Sequence, residues 1–186
     1  MIKYLVTVVI PCNNSLEGLK KTLESISSQT KVIGTKVFVA DLGSNDGSIQ
    51  YVQQLFYNPI NSIDVSPVDF IKDAQQTKGL IKTPYVFTLL PGEILDNKDF
   101  LMNQINNSCF YEKAIIYRGE SFIKRVIKRL KGLKGLNRYT GVLCNRDFFL
   151  NISFEKDDQG ILIKYPQGDK KKFRILTSGK QGFRRS

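Results

Sequence analysis

Two runs of β-branched and aliphatic residues, each closed by a turn and followed by an amphipathic stretch, set the fold class. Tyr4-Leu-Val-Thr-Val-Val-Ile10 is continuous rather than alternating, the pattern of a strand buried on both faces of a parallel sheet. Pro11 is expected to stop it. Asn14 then reads as a helix N-cap, with Glu17 three residues on as the reciprocal partner of a capping box. Leu16, Leu19, Leu23 and Ile26 follow at helical spacing. Lys36-Val-Phe-Val-Ala40 reads as a second strand ending at Asp41. The turn Gly43-Ser-Asn-Asp-Gly47 comes next, then a helix carrying Ile49, Val52, Leu55 and Phe56. This order predicts an α/β, Rossmann-like, mostly parallel central sheet flanked by helices, with its ligand crevice outside the C-terminal ends of the strands. Further strands are expected at 85–90, 114–117 and 142–145, and helices at 71–82 and 99–107.

The chain has 186 residues, enough for one domain with its own core. No Gly/Pro/Ser-rich linker, repeat or low-complexity tract divides it. There is no histidine, which excludes Ser-His-Asp and Cys-His nucleophile pairs, HExxH zinc sites and any histidine base. Acid–base work falls to carboxylates, lysines or tyrosines. The three cysteines, Cys12, Cys109 and Cys144, are far apart and form no CxxC pair, so a reducing compartment fits better than a disulfide framework. The first apolar run is too short to span a bilayer, and no small-residue cleavage site follows it. No GxGxxG or GxxxxGK[ST] loop is present, so a phosphate binder here must use lysines, arginines, helix N-termini or a metal.

Charge is one-sided. Residues 1–100 hold 9 lysines, no arginine and 10 acids, whereas residues 101–186 hold 19 basic and 7 acidic residues. Such a surface attracts polyanions. In residues 121–136, SFIKRVIKRLKGLKGL, the apolar positions fall on one half of a helical wheel, while Lys124, Arg125, Lys128 and Lys131 take the other. That composition suits an interfacial helix on an anionic membrane surface, and equally a helix docking on the sheet. Lys170-Lys-Lys172, Arg174, Lys180 and Arg184-Arg185 form a second basic cluster. No RNP, KH or zinc signature accompanies either cluster, so nucleic acid has no specific support.

Asp41 is the sharpest single residue. It ends a buried strand on the ligand side, where a carboxylate can accept hydrogen bonds from a base or ribose. It can equally cap its own turn through backbone amides.

At these residues the chain resembles a known family. Val6-Thr-Val-Val-Ile-Pro11 with Asn13-Asn14, then a helix closed by Ser28-Gln29-Thr30, looks like the opening of the family 2 glycosyltransferases of GT-A fold. Ala40-Asp41-Leu-Gly-Ser-Asn-Asp-Gly-Ser48 resembles their V-D-D-G-S-T-D-G-T. Lys78-Gly79-Leu80 followed by Tyr85–Leu90 resembles their A-R-N-x-G and the strand that delivers the metal motif, and Glu93–Asp96 with Phe100-Leu101 the stretch after it. The likeness covers about residues 4–101.

The resemblance implies a nucleotide sugar of UDP or GDP type lying across the strand ends. Asp41 would contact the base, Pro11, Asn13 and Asn14 would line the base and ribose pocket, and Asp46 would sit near it. It implies a nucleotide-sugar-binding half over residues 1–110 and a basic, acceptor-side portion of the same domain over 111–186. It further implies an inverting transfer to a saccharide or lipid-linked acceptor in cell-envelope polysaccharide synthesis, in the cytoplasm or at the inner membrane face. The base would be a carboxylate, for which Asp157 and Asp158 are the candidates. A solvated turn between Phe154 and a strand at Ile161–Ile163 is the simpler account of those two residues.

The departures are specific. The family's second Asp is Leu42, its stacking aromatic is Asn13, and its A-R-N arginine and asparagine are Gln76 and Thr77. The D-x-D metal motif falls on Leu90-Pro91-Gly92, leaving Glu93 as the one acid for a divalent Mg or Mn that two carboxylates normally hold. Lys78 or arginines of the second half would then carry the leaving-group charge. A catalytically inactive homologue acting as a binding or scaffold partner is the alternative.

Overall fold

The computed structural model of the chain describes residues 5–29, 35–57, 64–69, 79–108, 114–118, 142–150, 153–157, 160–164, 173–177 and 183–185. In chain order the elements are β1 (Val6–Cys12), α1 (Leu16–Ser27), β2 (Thr35–Asp41), α2 (Ser48–Tyr57), β3 (Asp64–Asp69), β4 (Tyr85–Thr88) and β5 (Glu93–Leu95). They continue with α3 (Phe100–Ser108), β6 (Ala114–Arg118), β7 (Val142–Asn145), α4 (Arg146–Phe149), β8 (Ser153–Asp157), β9 (Gly160–Lys164), β10 (Phe173–Thr177) and β11 (Phe183–Arg185).

A seven-stranded sheet runs β10-β6-β7-β4-β1-β2-β3 and so takes strands from both halves of the sequence. All its pairs are parallel except those of β7, which lies antiparallel between β6 and β4. β5 with β11 and β8 with β9 make two antiparallel two-stranded ladders.

The centre of the sheet is β1, every residue of which is buried, as its unbroken apolar run anticipates. Thr7 is the one polar interruption. Thr83 Oγ1 donates to the Tyr85 carbonyl at 2.8 Å. A hydroxyl has one proton, so in the 2.7 Å contact between the two threonines Thr7 is the donor. Leu19, Leu23 and Ile26 of α1 pack on Val6, Val8 and Ile10 of β1 and Val37 and Val39 of β2. Each fully buried aliphatic side chain contributes about 1.5–3 kcal/mol relative to exposure.

Pro11 does not stop β1. It lies inside the strand, paired with Ala40, and the strand runs on to Cys12 opposite Asp41. The Val9 carbonyl accepts the Leu89 N–H at 3.1 Å and the Cys12 carbonyl accepts the Leu42 N–H at 2.9 Å. Alternation therefore turns Pro11 to the β4 side, where the ladder has already ended at Val9 opposite Thr88. A proline costs nothing where no ladder bond is due. Pro67 of β3 obeys the same rule. It is opposite Val39, and the alternation that turns Val39 toward β3 turns Pro67 to the sheet's outer side.

β2, α2, β6, β7 and α3 match the expected segments within two residues, and β4 ends two residues early. β3, β5, β8, β10, β11 and α4 answer to no expected segment. Of the helix expected over 71–82, Gly79 and Leu80 are helical, Ile81 and Lys82 are not, and 71–78 lie outside the described residues. The basic segment 121–136 lies outside them too. Among the described residues no helix is long and apolar enough to cross a membrane.

Candidate functional site

Two loops, one after β1 and one after β2, are bonded to each other at the C-terminal edge of the sheet. Asn14 is the one described non-glycine residue at positive φ, at 47°, a conformation asparagine tolerates. Its backbone N–H donates to Ser44 Oγ at 3.1 Å, and its Oδ1 accepts the Asn45 N–H at 2.7 Å. Asn14 thus acts as a clasp between loops rather than as the N-cap of α1.

The N-cap is Ser15, whose side chain makes no capping bond. The free amide of Leu16 donates instead to Asp46 Oδ2 at 2.8 Å. The other Asp46 oxygen accepts from Ser48 Oγ at 2.6 Å and Ser48 N at 3.1 Å. The Ser48 hydroxyl first, then the Leu16 and Ser48 amides, hold the Asp46 carboxyl below the usual aspartate range. Glu17 does not close a capping box. Its Oε1 pairs with Lys20 Nζ at 2.7 Å. The capping oxygen comes from thirty residues downstream, where no local pattern could reveal it.

Asp41 performs the turn-capping role. Its carboxylate accepts the Gly43 N–H at 3.1 Å and the Ser44 N–H at 3.0 and 3.2 Å. Gly43, at φ 89°, supplies the left-handed step that lets the turn fold back on this carboxylate. Two donors leave part of the carboxylate's acceptor capacity open. Cys12 is buried beside the same loops, and burial pushes its thiol up, against the pull of Ser48 and Ser44.

Asn13 carries a buried, unsatisfied acceptor. Its Oδ1 is shut off from solvent and has no hydrogen-bond partner. A buried acceptor left unsatisfied costs about 1–3 kcal/mol. Pro11, Asn13, Asn14, Asp41 and Asp46 are therefore gathered on one edge. Ser44, which ties the loops, and Ser48, which holds Asp46 in place, escaped the sequence reading because serine in a turn carries no signal of its own.

The stretch in the position of the metal motif is a closed structural turn. Leu90-Pro91-Gly92-Glu93 has proline at its second position and glycine at φ 88° at its third, the pattern of a type II turn. The Glu93 N–H donates to the Leu90 carbonyl at 3.0 Å. Glu93 Oε2 in turn accepts the Leu90 N–H at 2.8 Å. The turn is fastened to α1, because the Gly92 N–H lies 2.9 Å from both the Gly18 carbonyl and Thr22 Oγ1. Glu93 is 1% exposed. Its carboxylate closes its own turn, and among the described residues no group of three or more acidic or cysteine ligands could hold an ion. At this turn the described residues offer one carboxylate, already bonded to its own backbone, where two would normally hold an ion.

Asp157 ends β8 opposite Gly160, at the tip of a hairpin apart from the main sheet. Asp158 and Lys78 lie outside the described residues.

Structural comparison places the architecture. The chain is similar to residues 1–349 of S. aureus TarS, with TM-score 0.63 and 16% identity over 98% of this chain and 60% of that one. It is similar to the mannosyltransferase PcManGT from Pyrobaculum calidifontis, solved with GDP-Man and Mn2+, with TM-score 0.59 and 14% identity over 79% and 46%. It is also similar to glucosyl-3-phosphoglycerate synthase from Mycobacterium tuberculosis, solved with Mn2+, UDP and glucosyl-3-phosphoglycerate, with TM-score 0.53 and 15% identity over 81% and 60%. The chain spans no more than 60% of any of these, and 22% of the longer TarS chain. A scan against protein-family models gives no match, and a search of curated proteins finds no similar sequence. At these identities the likeness shows the fold, which is GT-A.

Proposed function

We propose that this chain is a glycosyltransferase of the family 2 type, binding a nucleotide sugar of UDP or GDP type across the ends of β1 and β2. The observation that carries this is the unpartnered, buried Oδ1 of Asn13 at the junction of the two interlocked loops. A nucleobase edge offers the N–H donor this oxygen lacks, once the Asn13 amide turns out of its closed position. Asp41, with acceptor capacity remaining, is the second contact to base or ribose, beside Pro11, Asn14 and Asp46.

The reaction is an inverting transfer to a saccharide or lipid-linked acceptor, as in cell-envelope polysaccharide synthesis. Asp157 or Asp158 takes the proton from the acceptor hydroxyl, whose oxygen bonds the anomeric carbon. The bond from that carbon to the diphosphate oxygen breaks, and the nucleoside diphosphate leaves with the electron pair. The segment 121–136 would hold the protein against an anionic inner membrane face.

One observation favours a second reading, a non-catalytic homologue that keeps a nucleotide pocket and acts as a partner or scaffold. It is the closed turn at Leu90–Glu93, with its carboxylate turned to structural use.

Calorimetric titration of UDP, GDP and their common sugar conjugates, with and without manganese, tests the pocket. Binding of one nucleotide series, lost in Asp41→Ala, supports it. The absence of binding under either condition refutes it. Sugar transfer to an acceptor, abolished in Asp157→Asn or Asp158→Asn, separates the enzyme from the scaffold.

A further inference from the structure

α2 leaves an uncharged face to solvent. Its ten residues, SIQYVQQLFY, include no charged side chain, in a chain where 24% are charged. Ser48, Val52 and Leu55 are buried on its inner side. Gln50, Gln53, Gln54 and Tyr57 are exposed, and helical periodicity places them within an arc of about 100°. Phe56 is exposed at the border of this arc. Its ring and that of Tyr57 meet edge to face, with centroids 5.4 Å apart and planes at 84°. Phe56 at 53% exposure and Tyr57 at 79% are two of the three large apolar side chains that stand open among the described residues. The outer side of α1 is different. Glu17, Lys21 and Glu24 are exposed there, the charge that a solvent-facing helix ordinarily carries.

We propose that this outer face of α2 is a saccharide-binding surface, on which an uncharged sugar chain lies across Gln50, Gln53, Gln54 and the Phe56–Tyr57 pair. Each glutamine amide brings an acceptor oxygen and two N–H donors, which matches hydroxyls that both donate and accept. An exposed aromatic ring covers the apolar C–H face of a pyranose. The contact with Phe56 limits the positions of the Tyr57 ring, so less freedom is lost on binding. The absence of charge selects the partner. Nucleic acid or an anionic membrane calls for lysine or arginine at the contact, and α2 has neither. A stable pairing with a second copy takes about 20–30 residues a side, against five exposed side chains on α2. A sugar chain needs only a few. The surface is separate from the crevice, because Tyr57 lies at the far end of the helix from Ser48, about 14 Å along its axis. It does not depend on the nucleotide-sugar reading. Under that reading it holds an acceptor chain away from its reacting end.

The test titrates maltohexaose, cellohexaose and chitohexaose into the full chain by calorimetry, at low and high salt. The series is repeated with Tyr57→Ala and with Gln53→Ala combined with Gln54→Ala. These side chains are exposed, so both variants should keep the wild-type Tm, which is measured alongside. The expected result is binding of at least one oligosaccharide with a Kd that salt does not move. Tyr57→Ala should weaken it about tenfold, the loss of one aromatic contact, and the paired glutamine substitution should weaken it similarly. In the wild type, which involves no variant, the saccharide should shift the NMR signals of the glutamine side-chain amides of α2. No binding of any of the three oligosaccharides, or affinity undiminished in both variants, overturns the assignment. So does a dimer seen by sedimentation that Tyr57→Ala dissolves, since the face then serves a second copy. UDP and GDP titrated into the same proteins read the crevice separately. Oligosaccharide binding without nucleotide binding would support the α2 surface while refuting the pocket at β1 and β2.

Discussion

The Asp46 carboxylate caps Leu16: its Oδ2 lies 2.8 Å from an amide thirty residues earlier in the chain. The loop after the second strand thereby starts the helix after the first. The end of β1, the turn after β2 and the head of α1 form one mechanical unit through this bond and the Asn14 clasp.

Asp46→Ala should therefore destabilise the whole fold at neutral pH, by about 1 kcal/mol, the usual worth of an N-cap. The Asp46 carboxyl is held below its ordinary value in the folded state. Its contribution is thus present above the unfolded aspartate pKa, near 4, and lost as pH falls through the folded value. Because the group is exposed, solvent screening keeps the charge-dependent part small. Urea midpoints at pH 7 should separate wild type from variant, and the gap should narrow as pH falls through the folded value. A gap that persists undiminished in acid contradicts the capping role.

Gly18→Ala tests the junction of α1 with the turn. A Cβ there would lie 2.9 Å from Ser15 Oγ, 3.0 Å from Gly92 N and 3.1 Å from the Pro91 carbonyl carbon. Alanine normally gains about 1 kcal/mol over glycine inside a helix. Here two of the three neighbours are backbone, so overpacking of about 1–3 kcal/mol should win. The expected outcome is a Tm lowered by a few degrees. A raised Tm would show that the turn moves aside freely.

Asn13→Ala separates binding from stability. Removing a buried acceptor that has no partner should leave the Tm unchanged or higher. The loss of that acceptor should weaken nucleotide binding about tenfold. A variant that is less stable yet binds normally would show that Asn13 serves packing alone.

Gly92→Asp asks whether an acid returned to this turn restores an ion site. Gly92 has φ 88°, where a side chain costs about 1–2 kcal/mol. The variant should melt several degrees lower and bind manganese no better than wild type in a calorimetric titration. Tight manganese binding would show that the turn opens on demand.

How much of this was legible depended on where the determinants lay. Val6–Ile10 and Lys36–Ala40 announced buried parallel strands because both faces of each are covered, and Leu19, Leu23 and Ile26 announced the face of α1 by their spacing. β3 was hidden because DVSPVD carries two acids and a proline, which an edge strand tolerates and a central strand does not. β5 and β11 are three residues each and gain their identity only from one another. At the site, Asp41 could be picked out but its commitment to Gly43 and Ser44 could not, since turn and ligand use the same lone pairs. The Asn14 capping box failed for the converse reason: a competing acceptor, Asp46, arrives through tertiary structure.

Pro67 bears on how this protein behaves in concentrated solution. β3 stands at one margin of the seven-stranded sheet among the described residues, and such margins recruit strands from neighbouring molecules. With Pro67 turned outward, the row of donors along that margin has a gap at its middle. A second chain laid alongside would find no N–H at the step where pairing must propagate. The residue that costs the sheet nothing internally thus guards it against self-association, and its replacement by valine should first show itself as turbidity rather than as loss of fold.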